Sequence, residues 1–145
     1  MKISVRIAED GDVSALAELS GQLGYPVEAG EMAARFARVR AQMAGEVFVA
    51  MGSTAAGVLG WTHVVPRLQL EEAPFAELAG LVVAESARSI GVGTALLAAA
   101  ERWARAGGFA LMRVRSNVVR ERAHRFYERE GYCRVKGQAV FHKSI

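Results

Sequence analysis

The stretch AELAGLVVAESARSIGVGTALLAAAERW, residues 76–103, decides how the rest of this chain is interpreted. Its apolar beginning at residues 77–83 predicts a buried strand, and a short polar turn follows at residues 84–89. Gly91 and Gly93 then open a helix whose apolar residues recur at helical spacing, namely Leu96, Leu97, Ala100, Trp103 and Ala104. A strand, a glycine turn and a helix gather backbone N–H groups around an anion, so we expect a bound pyrophosphate.

Two common phosphate-binding motifs do not fit this turn. The dinucleotide fingerprint needs G-x-G-x-x-G, but the position three residues after Gly93 is Leu96. The P-loop needs a lysine after its last glycine, and none follows Gly93. The pattern that fits is R-x-x-G-x-G, formed by Arg88, Gly91 and Gly93 after the strand residues 81–83.

Length and composition restrict the class of protein. The 145 residues suit one domain with a substantial core, which we expect to span residues 1–145. Residues 1–10 lack the apolar segment of a secretory signal, and the chain has no apolar run of about 18 residues that would cross a membrane. Cys133 is the single cysteine and no zinc-type Cys/His cluster is present, so we expect a cytoplasmic protein without a metal.

The elements on either side of the central stretch predict a mixed α/β fold. Strands are expected at residues 3–7, 47–51, 56–65, 77–83, 111–115, 132–135 and 139–142. Helices are expected after Asp12 as N-cap, at residues 31–43, after Gly91, and at residues 119–130. The strand after the glycine-turn helix would be parallel to the strand before it. The predicted order is βααβββαβαββ, a central mixed sheet flanked by helices.

Motif and element order together resemble the GNAT superfamily of acyl-CoA-dependent N-acetyltransferases. The R-x-x-G-x-G turn resembles the acyl-CoA-binding motif of that superfamily. Asn117 and residues 123–132, AHRFYEREGY, resemble its later motif N…A-x-x-F-Y-x-x-x-G-[FY]. The resemblance covers nearly the whole chain and implies a GNAT fold with acetyl-CoA as co-substrate. It also implies direct transfer of the acetyl group, in a ternary complex, to a primary amine of a small molecule or of a protein or peptide.

The resemblance also implies which residues bind acetyl-CoA. The pantetheine arm would lie along the backbone of Leu81, Val82 and Val83, with the N–H of Val83 facing the thioester carbonyl. The pyrophosphate would be bound by the backbone of Arg88, Ser89, Ile90, Gly91, Val92, Gly93 and Thr94. Ser89 departs from the superfamily, which often has glycine at this position. Asn117 would bind the pantetheine arm or the neighbouring backbone, although an ordinary turn asparagine explains it equally well.

Two residues are candidates for the proton transfers. Tyr127 corresponds to the tyrosine that many relatives use as general acid toward the CoA sulfur, and the alternative is an ordinary aromatic residue of an amphipathic helix. Glu77 lies where the histone-acetylating branch has its catalytic base, whereas many small-molecule branches have an acid two residues later, where this chain has Ala79. Glu77 is equally compatible with a solvated strand start, and His63 or His142 are alternative bases.

Other functions remain open at this stage. A non-catalytic acyl-CoA-binding sensor or regulatory module would keep the phosphate-binding turn without needing Glu77 or Tyr127. The arginine-rich segment at residues 120–129 suggests nucleic-acid binding, but its aromatic residues do not form the interleaved stacking pattern of a nucleic-acid reader, and we expect no nucleic-acid partner. No membrane partner is expected either. A tail strand at the sheet edge would allow a homodimer.

Overall fold

The structure is a computed structural model that describes residues 2–54, 57–116 and 118–145. The chain divides into two units, Met1–Val114 and Arg115–Ile145. The prediction of one domain over residues 1–145 stays a prediction. Within the described ranges, no helix combines the length and the apolar character that crossing a membrane requires.

A five-stranded mixed sheet forms the first unit, with its strands in the order β1-β2-β3-β4-β5. The strands are β1 (Ile3–Ile7), β2 (Glu46–Gly52), β3 (Val58–Arg67), β4 (Phe75–Val83) and β5 (Met112–Val114). The helices are α1 (Val13–Gln22), α2 (Ala29–Ala41) and α3 (Val92–Ala106). Adjacent strands are antiparallel except β4 and β5, which are parallel. The predicted parallel step across the glycine-turn helix is therefore confirmed.

The helices pack on the sheet through two clusters of buried apolar side chains. One cluster joins α3 to the sheet and to α1, and it includes Leu19, Ala50, Leu59, Val82, Val92 and Leu96. The other joins α1 and α2 to β2, and it includes Val13, Leu16, Phe36, Val47 and Val49. Gly60 of β3 allows α3 to approach closely, because a Cβ there would lie 3.0 Å from side-chain atoms of both Leu96 and Val92.

Asp12 immediately precedes α1, as predicted, but its carboxylate does not cap that helix. It accepts two hydrogen bonds from the Arg6 guanidinium, at 2.7 and 2.9 Å, and one from the backbone N–H of Glu9 at 2.8 Å. These bonds, above all those from Arg6, lower the pKa of Asp12. The residue therefore ties β1 to the turn that leads into α1.

A β-bulge interrupts β4 in its middle. His63 of β3 pairs with Gly80, but the next residue, Val64, pairs with Leu78. Ala79 is therefore an extra residue on β4 with no counterpart on β3. A bulge of this kind bends its strand and increases the local twist.

The second unit contains α4 (Glu121–Arg129) and a tail without regular structure. The strands predicted at residues 132–135 and 139–142 are wrong, since no strand is assigned in residues 132–145. A strand is stabilised by hydrogen bonds to a neighbouring strand, and alternation within the tail cannot replace that neighbour. The apolar tail residues are correspondingly exposed, among them Val135, Val140 and Phe141.

Candidate active site

The second half of β4 has an open edge. The parallel strand β5 pairs only with Ala76–Leu78, before the bulge. Among the described residues, none of β5 pairs with residues 79–83, so the two strands part at the bulge. Such an edge presents backbone N–H and C=O groups that are available for a bound molecule.

The hydrogen bonds of β4 show which backbone groups face this edge. Ala84, just after the strand, donates its N–H to the carbonyl oxygen of Leu59 at 2.8 Å and therefore faces β3. Because backbone groups alternate along an antiparallel strand, Val82 also faces β3, whereas Leu81 and Val83 face the open edge. The N–H of Val83 thus has the orientation that its predicted role requires, while the binding roles of all three residues stay predictions.

The loop between β4 and α3 is fixed at both ends and exposed between them. Ala87 and Val92 are buried, whereas Ser89, Ile90 and Gly91 are exposed. Ser89 has φ +67° and Gly91 has φ +95°, both in the left-handed region. Ser89 therefore adopts the conformation for which glycine is favoured, and its departure from the superfamily pattern leaves the turn left-handed. Left-handed residues in such a loop direct successive N–H groups into a concave anion-binding nest.

The N-terminus of α3 completes this nest. Gly91 is the N-cap residue, and as a glycine it has no side chain that could cap the first turn of the helix. A Cβ built on Gly91 would meet no atom within 4 Å, so glycine is needed there for its backbone conformation and the space beside it is open. The left-handed residues, the exposed turn and the open space at Gly91 are compatible with a bound diphosphate, and the binding role predicted for Arg88 to Thr94 stays a prediction.

Glu77, the candidate base, is buried in the middle of the sheet. Its side chain is only 5% exposed, so the alternative of a solvated residue at the start of a strand is wrong. Arg67, the last residue of β3, donates hydrogen bonds from Nε at 2.9 Å and Nη2 at 2.7 Å to the same oxygen, Oε2. The guanidinium compensates for burying the negative charge of the carboxylate. Whether Glu77 acts as a base stays a prediction.

A second arginine–carboxylate pair lies beside the first. Arg113 of β5 is the register partner of Glu77, and its two Nη atoms donate to the two oxygens of Glu72, at 2.9 and 2.5 Å. Glu72 also accepts from Gln69 at 2.6 Å. The guanidinium of Arg113 lies 4.0 Å above the centroid of the buried Phe75 ring, and the bonds to Glu72 raise the pKa of Arg113. Glu72 is therefore the ion-pair partner of Arg113.

The sequence did not reveal the roles of Arg67 and Arg113. The strand predicted at residues 56–65 ends two residues before Arg67, whereas β3 continues to this residue. Its only sequence signal is indirect: a glutamate inside an apolar strand needs a cation or a protonated state. Which cation supplies the charge depends on the register of β3 against β4, which the sequence does not specify.

Trp61 covers the sheet beside the bulge. A Cβ on Gly80 would lie 2.9 Å from the Trp61 ring, so the indole packs directly over the glycine. The indole Nε1 is inaccessible and has no hydrogen-bond partner among the described residues. By two-residue alternation along β3, Trp61 lies on the same face of the sheet as His63 and Arg67.

The two alternative histidine bases differ in their surroundings. Nε2 of His63 lies 2.8 Å from the carbonyl oxygen of Ala44, so this ring is tied to the segment between α2 and β2. That contact favours a structural role. His142 lies in the exposed tail, where no helix or strand is assigned.

Tyr127, the candidate general acid, lies on α4 in the second unit. Its ring makes edge-to-face contacts with Phe126 at 5.2 Å and Tyr132 at 6.0 Å between centroids. Burial raises the pKa of Tyr127 to about 12, and the positive charge of Arg120 opposes this shift. The phenol therefore stays protonated at neutral pH and can donate a hydrogen bond.

Two further predictions concern Asn117 and the absence of a metal. Asn117 lies outside the described residues, so its predicted role stays a prediction. Within residues 2–54, 57–116 and 118–145, no three His, Cys, Asp or Glu side chains are grouped closely enough to bind a metal ion. The expectation of a protein without a metal stays a prediction.

The sequence also matches an established family. The model of the Acetyltransferase (GNAT) family matches residues 14–132, which is most of the chain. The chain belongs to the GNAT acetyltransferase family. This membership confirms the resemblance inferred from the glycine turn and the later motif, and it assigns the chain to the acetyl-CoA-dependent N-acetyltransferases.

One curated relative and two solved structures are similar to this GNAT chain. An aminoalkylphosphonate N-acetyltransferase from Salmonella typhimurium is 46% identical over 56 residues, which are 39% of this chain and 36% of that protein. The match therefore spans about a third of the length of that relative.

Aminoglycoside N-acetyltransferase AAC(6')-Iy in complex with CoA has a TM-score of 0.87 and 18% identity, over 99% of this chain and 96% of that chain. A transcriptional regulator from Bacillus halodurans has a TM-score of 0.83 and 22% identity, over 98% of this chain and 100% of that chain. At these identities the two structures confirm the predicted fold class alone.

Proposed function

We propose that this protein transfers an acetyl group from acetyl-CoA to a primary amine of a small molecule, directly and within a ternary complex. The observation that carries the proposal is the open edge of β4 followed by an exposed turn with the left-handed residues Ser89 and Gly91. Acetyl-CoA carries a thioester arm and a pyrophosphate in one molecule. The open edge of β4 suits the arm, and the turn that follows it suits the pyrophosphate. Protein or peptide amines are the other acceptor class that remains open.

The chain would bind acetyl-CoA mainly through its backbone. The pantetheine arm would pair with Leu81 and Val83 on the open edge, and the pyrophosphate would accept hydrogen bonds from the loop that contains Ser89 and Gly91. The N–H of Val83 would then face the thioester carbonyl. A fixed N–H donor stabilises the oxyanion that forms when an amine attacks, and one such donor is worth about 3–4 kcal/mol in comparable sites.

Glu77 would accept the proton that the ammonium must lose before attack through a chain of water molecules, because it lies six residues before Val83 on strand β4. The neutral amine nitrogen would then bond to the carbonyl carbon, the C–S bond would break, and the thiolate of CoA would leave. For a thiol with a pKa of about 8.5, a phenol with a pKa of about 12 is the weaker acid. Such a phenol is suited to donating a hydrogen bond to a thiolate while the net proton comes from solvent, and the general-acid role of Tyr127 stays a prediction.

The acceptor that we favour is an amine that carries a phosphonate. The support is the aminoalkylphosphonate N-acetyltransferase, which is similar to this chain over a limited stretch. An aminoalkylphosphonate combines a primary amine with an anionic group, and it is small enough for a site on one sheet face. A cytoplasmic location and a homodimer remain predictions from the sequence.

Isothermal titration with acetyl-CoA, followed by a thiol assay for released CoA with a panel of amines, tests this function. We expect micromolar binding of acetyl-CoA and CoA release with at least one amine. Glu77→Gln should lower kcat by about a hundredfold or more while acetyl-CoA affinity is kept. Binding without release from any amine would instead favour an acyl-CoA sensor, and absence of acetyl-CoA binding would contradict both functions.

A further inference from the structure

We propose that Arg67 binds an anionic group of the acceptor, so that the enzyme prefers amines that also carry a phosphonate or a carboxylate. The inference rests on the proposed acetyl transfer and adds the residue that selects the substrate. Its starting point is the position of Arg67 at the end of β3, hydrogen-bonded to Glu77 and with 48% of its side chain exposed.

The way in which Arg67 holds Glu77 leaves donors for a ligand. Nε and Nη2 both donate to one oxygen, Oε2, which uses two of the five N–H groups of the guanidinium. In the described part of the chain, Nη1 makes no hydrogen bond. Guanidinium groups bind carboxylates and phosphonates with planar, directional hydrogen bonds, so the N–H groups of Nη1 on this half-exposed side chain suit such a group.

The neighbouring arginine is less available. Arg113 already donates from both Nη atoms to the two oxygens of Glu72, it lies over the Phe75 ring, and only 18% of its side chain is exposed. Glu72 is thereby neutralised by an arginine, as Glu77 is. Of the four charged residues Arg67, Glu72, Glu77 and Arg113, Arg67 is therefore the one that is best placed to bind an anionic group of the acceptor.

This arrangement would bring the acceptor amine to the candidate base. A short amine that is bound through its anionic group to Nη1 of Arg67 lies next to the carboxylate that the same guanidinium holds. Its amine end would then extend along β4, past the buried Glu77 and toward the open edge that follows the bulge at Ala79.

The test compares three amines of equal chain length: an aminoalkylphosphonate, the corresponding amino carboxylate and the plain alkylamine. For the unmodified enzyme we expect kcat/KM to be at least about tenfold higher for the better anionic amine than for the alkylamine. In Arg67→Met, kcat/KM for the anionic amines should fall by about ten- to a hundredfold, mostly through KM, while the alkylamine changes far less. Arg67→Lys should restore part of the preference for anionic amines, because lysine keeps the positive charge but lacks the planar set of N–H donors of a guanidinium.

Arg35→Met is the matched control, because Arg35 is also half exposed and also paired with a glutamate, but lies on α2. It should leave all three rates unchanged. Retained affinity for CoA shows that each variant is folded. Equal losses for all three amines in Arg67→Met, or no preference in the unmodified enzyme, would overturn this inference and leave the acetyl-transfer function intact. No release of CoA with any amine would overturn the acetyl-transfer function, and the inference with it.

Discussion

Arg67 and Glu77 face each other across β3 and β4, and both hydrogen bonds of the guanidinium end on one buried carboxylate oxygen. The arginine is half exposed, whereas the carboxylate is almost fully enclosed. The two partners of this ion pair therefore do not contribute equally to stability, because burying a charge is most unfavourable where water is excluded.

Arg67→Met should therefore lower the free energy of unfolding by about 1–3 kcal/mol, because it leaves a buried charge without its closest cation. Adding Glu77→Gln should recover much of this loss, since the double variant buries no charge at that position. Urea unfolding of the two single variants and the double variant gives the coupling energy. Strictly additive losses would contradict a direct interaction between the two side chains.

Gly80→Ala should destabilise the protein by about 1–3 kcal/mol, because the new methyl group would lie 2.9 Å from the Trp61 ring. Trp61→Leu should reduce the cost of the alanine, since the smaller side chain leaves room. Gly21→Ala in α1 is the control: a Cβ at Gly21 meets nothing within 4 Å, so this change should be neutral or slightly stabilising. Chemical denaturation measures all of them, and equal effects at Gly80 and Gly21 would rule out the steric explanation.

Ser89→Gly should keep acetyl-CoA affinity within about twofold and change stability by no more than about 1 kcal/mol, because glycine adopts φ +67° without strain but costs more entropy on folding. Ser89→Val should destabilise the turn and weaken binding by about tenfold, since a β-branched residue strongly resists this conformation. Titration calorimetry with acetyl-CoA separates the two variants. Tight binding by Ser89→Val would show that the left-handed turn is not needed for the phosphate.

Tyr127 should make stability fall as pH rises from about 10 to about 12. Its pKa is raised to about 12 in the folded chain, so in this range the unfolded chain loses the phenol proton first. The stability that comes from keeping the proton is complete below pH 10 and is lost through pH 12, by up to about 2–3 kcal/mol.

Comparing the unmodified protein with Tyr127→Phe isolates this contribution, because the other titrating groups are common to both. Ultraviolet titration of the folded protein should show one late-titrating phenol that disappears in Tyr127→Phe. The exposed Tyr25 provides the control, since Tyr25→Phe should leave the late transition in place. Two identical stability curves for the unmodified protein and Tyr127→Phe would contradict a raised pKa.

The amino-acid sequence by itself determined the elements whose signals are local. Gly91, the apolar periodicity of α3 and the apolar run of β4 lie within one continuous stretch, so the strand, the turn and the helix could be predicted together. The parallel position of β5 followed from the length of the crossover. The family followed from these elements and the later motif.

Only the tertiary structure decided what depends on register between distant segments. The bulge at Ala79, the cover of Gly80 by Trp61, and the pairing of Arg67 with Glu77 arise from how β3 lies against β4. A shift by one residue would turn each of these side chains to the opposite face, and composition carries no signal for that choice. In the tail, residues 132–145, the sequence predicted structure that is not present. Its alternating residues predicted strands that did not form, because a strand exists only through a partner that its own sequence does not contain.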